Sequence, residues 1–266
     1  MSDLPALSVD EFGAFFEAVH GHSPFPWQAR LAREVAEGAW PEVLNLPTGT
    51  GKTAVLDVAV FHLALSAGAQ ERLAPLRMVY VVDRRTIVDQ AYERAARIVA
   101  KLREATDGVL ARVKARLESL GRDKVALRAT MLRGAIARSD MWARSPDQPL
   151  IAVSTVDQVG SRLLFRGYGV SDGMKPIHAG LLGNDVLYML DEVHLSAPFR
   201  ETLGAIGRRY AGWTESGMPR RFGVVEMSAT HAAAAHTAFE LAADDEAHPV
   251  LARRLSAPKP ARLAEA

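Results

Sequence analysis

The chain contains no cysteine, which excludes disulfide bonds, thiolate metal sites and cysteine nucleophiles and agrees with a reducing compartment. It also lacks a surplus of either charge. The 32 lysines and arginines stand against 31 aspartates and glutamates, so total charge points to no polyanionic partner, and any such signal has to come from local clustering. No apolar run approaches the roughly 20 residues that span a bilayer. The opening MSDLPALSVDEF has no basic stretch followed by an apolar one. We therefore read the chain as cytoplasmic, without a membrane segment. No repeat period and no long low-complexity tract is present. What remains is an ordinary globular composition, 48% apolar over 266 residues, enough for one substantial core or for one domain and part of another.

Short apolar runs read as strands: EVLNLP from Glu42, RMVYVVD from Arg77, PLIAVST from Pro149, VLYMLDE from Val186 and FGVVEMSAT from Phe222. Most are continuous rather than alternating, as expected of strands buried on both faces. Helical patterns separate them, in GKTAVLDVAVFHLALSAG, TIVDQAYERAARIVAKLREA, VLARVKARLESLG and RETLGAIGRRYAGW. The alternation predicts an α/β fold with a mainly parallel sheet covered on both sides. After Thr230, the alanine-rich HAAAAHTAFELAADDEAHPV reads as a surface helix and RRLSAPKPARLAEA as a proline-broken connector.

The sharpest local signal is LNLPTGTGKT, Leu44 to Thr53. A strand ends in a turn containing Gly49 and Gly51, and Lys52 and Thr53 open a helix. Such a loop, from Thr48 through Gly49, Thr50 and Gly51, wraps a phosphate with backbone N–H groups. The helix start adds orphan donors and a positive dipole end, Lys52 adds a charge, and the Thr53 hydroxyl suits Mg2+. Leu46 stands where the commonest form of this pattern has a glycine.

The stretch MLDEVHLS, Met189 to Ser196, ends another strand with two acids. Downstream of a phosphate loop, one acid holds Mg2+ against the nucleotide phosphates and the other orients or deprotonates the attacking water. Asp191 is expected as the first and Glu192 as the second, with His194 reporting the state of the γ phosphate. Ser228 and Thr230 in MSAT are placed to hydrogen-bond this group and couple hydrolysis to movement. The rival, a hydrolytic metal site on Asp191, Glu192 and His194, calls for further ligands at helical spacing. His231 and His236 do not share a helical face, and His20 and His22 read as loop residues.

In PFPWQARL, Gln28 can pair with adenine at N6 and N7 together and so select ATP; Trp27 beside it can equally be a core residue at a helix start. VVDRRTIVDQAYERA puts Arg84 and Arg85 beside a helix start, where nucleic-acid phosphate binds well. STVDQVGSRLLFRGYG offers Thr155 and Gln158 for the same groove. From Lys101 to Arg144, including Arg133, basic residues outnumber acidic ones about two to one, a bias that favours a polyanion-facing surface.

In order, PWQ, PTGTGKT, VVDRRTIVDQA, STVDQ, DEVH and MSAT resemble the Q motif and motifs I, Ia, a Thr-containing nucleic-acid motif, II and III of a superfamily 2 helicase, a group that tolerates a residue such as Leu46 at the head of motif I. HGHSPFPWQ, YVVDRRTIVDQAYERA, STVDQVGSRLLFRGYG and LDEVHLSAPF are similar to the helicase part of the CRISPR-associated helicase-nuclease of type I systems, in its subtype I-G (I-U) form. The resemblance covers roughly residues 14 to 260. It implies a RecA-like three-layer α/β/α sandwich over residues 1–235 and, over 236–266, a surface helix and linker towards a second lobe. It also implies ATP and Mg2+ as cofactors, single-stranded DNA as track and an RNA-guided CRISPR effector complex as partner. No His-Asp nuclease pair and no second RecA-like lobe with its arginine finger is recognised in the sequence. The expectation is therefore weak ATP binding and little hydrolysis by this chain alone. The alternative expectation is a motor-inactive nucleotide-binding adaptor that docks on such a complex.

Overall fold

The computed structural model describes residues 4–38, 40–83, 85–132, 140–192, 197–211, 221–228 and 237–257. Its centre is a seven-stranded sheet: β1 (Val43–Asn45), β2 (Arg77–Val82), β3 (Arg128–Leu132), β4 (Leu150–Thr155), β5 (Val186–Asp191), β6 (Phe222–Ser228) and β7 (Ala238–Glu240). The order across the sheet is β3-β4-β2-β5-β6-β1-β7, and every neighbouring pair is parallel. Because side chains alternate along a strand, each central strand feeds two cores. Met78, Tyr80, Ile151, Val153, Leu187, Met189, Val225 and Met227 face one side. Val79, Val81, Leu150, Ala152, Val186, Tyr188 and Leu190 face the other.

The first face is covered by α1 (Phe12–His20), α2 (Pro26–Glu37), α3 (Val55–Ser66), α4 (Arg85–Glu104) and α5 (Gly108–Glu118). The second is covered by α6 (Val156–Leu163), α7 (Lys175–Gly183) and α8 (Ala197–Ala211). This is the expected α/β/α sandwich with a parallel sheet. Helix α3 is apolar nearly all round and buries every residue but Leu65, as befits a helix enclosed by sheet and helices. Pro26 opens α2 at its first turn, where the missing N–H costs nothing. No described helix is long and apolar enough to cross a membrane.

Two strands depart from the sequence expectation. β3 is a half-exposed edge strand carrying Arg128 and Thr130, so it lacks the apolar run that marks the inner strands. β7 lies within the segment expected as a surface helix. There Ala238–Glu240 pairs with β1, and two short helices follow, α9 (Ala243–Ala247) and α10 (Pro249–Leu255). The decisive residue is Phe239, 3% exposed, which packs edge-on against Trp27 beneath the Arg30 guanidinium. Tertiary burial of one aromatic and pairing along β1 override the helical preference of the alanines around it. His20 is a further correction: it is the last residue of α1 and buried against Asp57, whereas His22 does lie in the following turn. His231 and His236 are outside the described residues.

The register aligns the carboxyl ends of the strands. Val82 sits beside both Thr155 and Asp191, Asp191 beside Met227, and Ser228 beside Asn45. At the amino ends, Asp185 receives Arg72 through two bonds of 3.1 and 2.7 Å and the Leu76 N–H at 3.2 Å. Arg77 donates there to the carbonyls of Asn184 and Pro146.

Candidate functional site

The chain leaves β1 at Asn45 and turns through the glycine loop into one 3-10 turn, Lys52–Ala54, which continues as α3. Gly49 and Gly51 have φ of +90° and +81°, a region that L side chains enter only with strain. The loop is braced from behind. Thr50 is fully buried, and its hydroxyl donates to the Pro47 carbonyl at 2.8 Å. The Trp27 indole N–H donates to the Thr50 carbonyl at 3.1 Å. Gln28 accepts from the Phe25 N–H at 2.9 Å and donates to the Gly51 carbonyl at 3.4 Å. Trp27 and Gln28 thus brace the loop together, and in this state the Gln28 amide is engaged by backbone. Thr48 is exposed and Thr53 half-buried.

The register and a local backbone kink bring the two acids to this loop. Glu192 has φ +54°, and its N–H donates to the Met227 carbonyl at 2.9 Å, so the chain turns sharply where β5 ends. Lys52 is only 9% exposed, and its Nζ lies 2.5 Å from Glu192 Oε1 and 3.9 Å from Asp191 Oδ1. Asp191 Oδ2 accepts from the Tyr80 hydroxyl at 2.7 Å. Its Oδ1 is buried with no hydrogen-bond partner. Burial pushes the Asp191 carboxyl up from its ordinary range, and Glu192 adds to the push, while the Tyr80 bond and the Lys52 charge oppose it. Burial, then the Asp191 charge, raises the Tyr80 phenol well above its usual value, so Tyr80 is a neutral donor.

Asp191, with one buried carboxylate oxygen that has no hydrogen-bond partner, and Thr53, whose hydroxyl lies beside the Tyr80 phenol that Asp191 accepts from, offer hard oxygen donors of the kind Mg2+ takes with one or two protein ligands. Asp191 and Thr53 therefore fit that ion. Among the described residues no cluster of three or more His, Cys, Asp or Glu could hold a metal by itself, so nothing described supports the rival hydrolytic centre.

The remaining candidates scatter. Ser228 ends β6 beside β1, its carbonyl accepting from the Leu46 N–H at 3.0 Å. His194, Thr230, Arg84 and Arg133 lie outside the described residues, and Arg85 opens α4 without a described side chain. Thr155 precedes α6 at the carboxyl end of β4. Gln158 is engaged by Arg162, whose Nη1 donates to its Oε1 at 2.9 Å.

The basic stretch from Lys101 to Arg144 turns partly inward. Arg116 donates to the carbonyls of Pro5, Ala64 and Leu65, Arg112 pairs with Glu11, and Lys114 caps the carbonyls of Arg103 and Ala105. Sequence reasoning missed Tyr80 and also Arg254 of α10, which donates to the Gly49 carbonyl at 3.5 Å beside the Phe25 ring. The available signal for Tyr80 was its hydroxyl inside an apolar strand, since a buried phenol needs a partner.

A parallel sheet with a glycine loop after β1, an acid pair closing β5, and β6 between those two strands is the arrangement of a RecA-like lobe. The chain belongs to the ResIII family, described as the type III restriction enzyme, res subunit, whose profile matches residues 22–232. No curated protein matches it. Among solved structures it is similar to the DEAD-box helicase Mss116 bound to ssRNA and UDP-BeF, at 16% identity and a TM-score of 0.50, over 86% of this chain and 42% of that one. It is also similar to a Dbp5 variant of S. cerevisiae bound to RNA and ADP BeF3, at 13% identity and a TM-score of 0.45, over 85% of this chain and 47% of that one. The chain spans less than half the length of either structure.

Proposed function

We propose that this chain is the ATP-binding lobe of a motor that couples ATP hydrolysis to movement on single-stranded DNA. The observation that carries the reading is Lys52 seated between Asp191 and Glu192, at 3.9 and 2.5 Å, at the mouth of a glycine loop. In this state Glu192 occupies the Lys52 ammonium. A triphosphate wrapped by Gly49, Thr50 and Gly51 competes for that ammonium, and Glu192 is released as it binds. The freed carboxylate takes a proton from water as the water attacks the γ phosphorus, giving ADP and phosphate. Thr53 and Asp191 would hold Mg2+, which would neutralise charge on the phosphates. Gln28 is the residue for adenine, exchanging its bond to the Gly51 carbonyl for the base edge.

A family described by a restriction-enzyme subunit favours DNA over the RNA seen with the solved neighbours. Arg84, Arg85, Arg133, Thr155 and Gln158 are proposed to meet the strand. His194, Ser228 and Thr230 are proposed to relay hydrolysis. Action beside an RNA-guided CRISPR effector complex rests on the sequence phrases alone.

Calorimetric titration of ATP into wild type, Lys52→Ala and Glu192→Gln tests the assignment, with and without single-stranded DNA or RNA. Loss of the charged Lys52 contact is expected to weaken binding about 10- to 100-fold, and DNA rather than RNA is expected to tighten it. Unchanged affinity in Lys52→Ala would sink the phosphate-loop assignment, and tightening by RNA alone would replace the DNA reading.

A further inference from the structure

The aspartate assigned to the metal is held by a side chain that stands one residue before the motif VVDRRTIVDQA and was given no role there. On the face of β2 that turns towards α3 and α4, Tyr80 lies between Met78 and Val82 and is wholly buried in an otherwise apolar layer. Its ring could be phenylalanine for packing alone. The hydroxyl instead donates to Asp191 Oδ2 at 2.7 Å, and the Thr53 hydroxyl lies beside the same phenol. The register explains the reach. Tyr80 pairs with Met189 and Val82 with Asp191, so the phenol crosses diagonally to the residue two places on, a span that aromatic side chains cover between neighbouring strands.

The phenol is itself confined. Thr53 and Asp57 sit one turn apart at the start of the phosphate-loop helix. Asp57 is fully buried and bridges His20 of α1 at 2.7 Å and Arg94 of α4 at 2.5 Å. Arg94 lies close enough to act electrostatically on Tyr80, and its guanidinium also rests over the Phe16 ring. Three helices are thus tied together behind the phenol, and a side chain packed in this way has little freedom to leave its rotamer.

We propose that Tyr80 is a positioning residue for Asp191: by occupying Oδ2 it fixes the carboxylate plane and leaves Oδ1, the oxygen without a hydrogen-bond partner, as the one presented to a divalent cation beside Thr53. The inference rests on the reading of Asp191 as the Mg2+ acid. Outer partners of this type fix ligand orientation, and their removal costs about 10- to 100-fold in metal affinity.

The test uses the full chain and Mn2+ as a spectroscopic substitute for Mg2+. Free Mn2+ is measured by electron paramagnetic resonance in the presence of ATP, and fluorescent ATP binding is measured separately in chelator. Tyr80→Phe is compared with wild type and Asp191→Asn, with thermal melting as a check on folding. The expected result is Mn2+ affinity lowered about tenfold in Tyr80→Phe, with metal-free ATP binding unchanged, because Lys52 and the loop are untouched. A general packing defect would move the second quantity too. Wild-type Mn2+ affinity in Tyr80→Phe, alongside a loss in Asp191→Asn, overturns the positioning role and leaves the nucleotide site standing. No loss in Asp191→Asn overturns both.

Discussion

The two ends of the parallel sheet carry similar charged residues and handle them in opposite ways. At the amino ends, the Asp185 carboxylate is saturated by two Arg72 bonds and the Leu76 N–H, and Arg77 is spent on backbone carbonyls. At the carboxyl ends, Asp191 keeps one buried oxygen without a hydrogen bond, and Lys52 is held by a carboxylate on a kinked residue. Buried polar groups are normally paired, and an unpaired one asks for a reason. Parallel α/β sheets bind ligands beyond the carboxyl ends of their strands, and the unbonded Asp191 oxygen lies at that end. The amino-end cluster is a clamp; the carboxyl-end cluster is the one that we propose a nucleotide completes.

The largest expected effect falls on the clamp. Asp185→Ala leaves Arg72 and the Leu76 N–H without their acceptor and is expected to lower stability by about 3 kcal/mol, read by urea unfolding. ATP affinity per folded molecule stays at the wild-type value. Lost affinity at full folding would break the separation of the two ends.

Next comes acid sensitivity at the far half of the phosphate-loop helix. Burial pushes His62 down from 6.5 to about 4. The unfolded chain therefore takes up a proton below about pH 6.5 that the folded chain refuses until about pH 4. The His62 contribution is complete above pH 6.5 and declines as pH falls, by about 3 kcal/mol at pH 4. The slope of stability against pH between 6.5 and 5 should flatten in His62→Leu; an unchanged slope would assign the sensitivity to other groups.

A smaller effect is expected at the loop. Gly51→Ala puts a Cβ at φ +81° and 3.3 Å from Gln28 Nε2, costing about 1 to 2 kcal/mol and weakening ATP binding as the Gln28 brace gives way. Equal stability in thermal melts would show that the loop relaxes freely. The smallest is Glu192→Gln, which removes the carboxylate competing for Lys52. ATP should bind about two- to fivefold tighter. Weaker binding would mean that Glu192 supports the nucleotide rather than standing in its way.

What was legible in the sequence follows from how local each feature is. The phosphate loop is a contiguous stretch whose strand, glycines and helix start announce themselves, and the inner strands are continuous apolar runs because both faces are buried. β7 was hidden because three residues in an alanine-rich segment carry only Phe239 as a packing signal. Tyr80 was hidden because its partner is 111 residues away and visible only once the β2 and β5 register is known. His20 looked like a loop residue because its partner Asp57 lies 37 residues away on a helix that is apolar nearly all round. The basic bias after Lys101 was real in composition, yet Arg112, Lys114 and Arg116 are consumed by internal contacts, which a count of charges does not reveal.

Hydrogen-exchange mass spectrometry of the full chain with and without ATP and Mg2+ tests the contrast between the two ends most directly. Added protection is expected in peptides spanning residues 46–54 and 186–192, absent in Lys52→Ala, with exchange around Arg72 and Arg77 unchanged. Protection that misses the glycine loop, or that persists at full strength in Lys52→Ala, would contradict it.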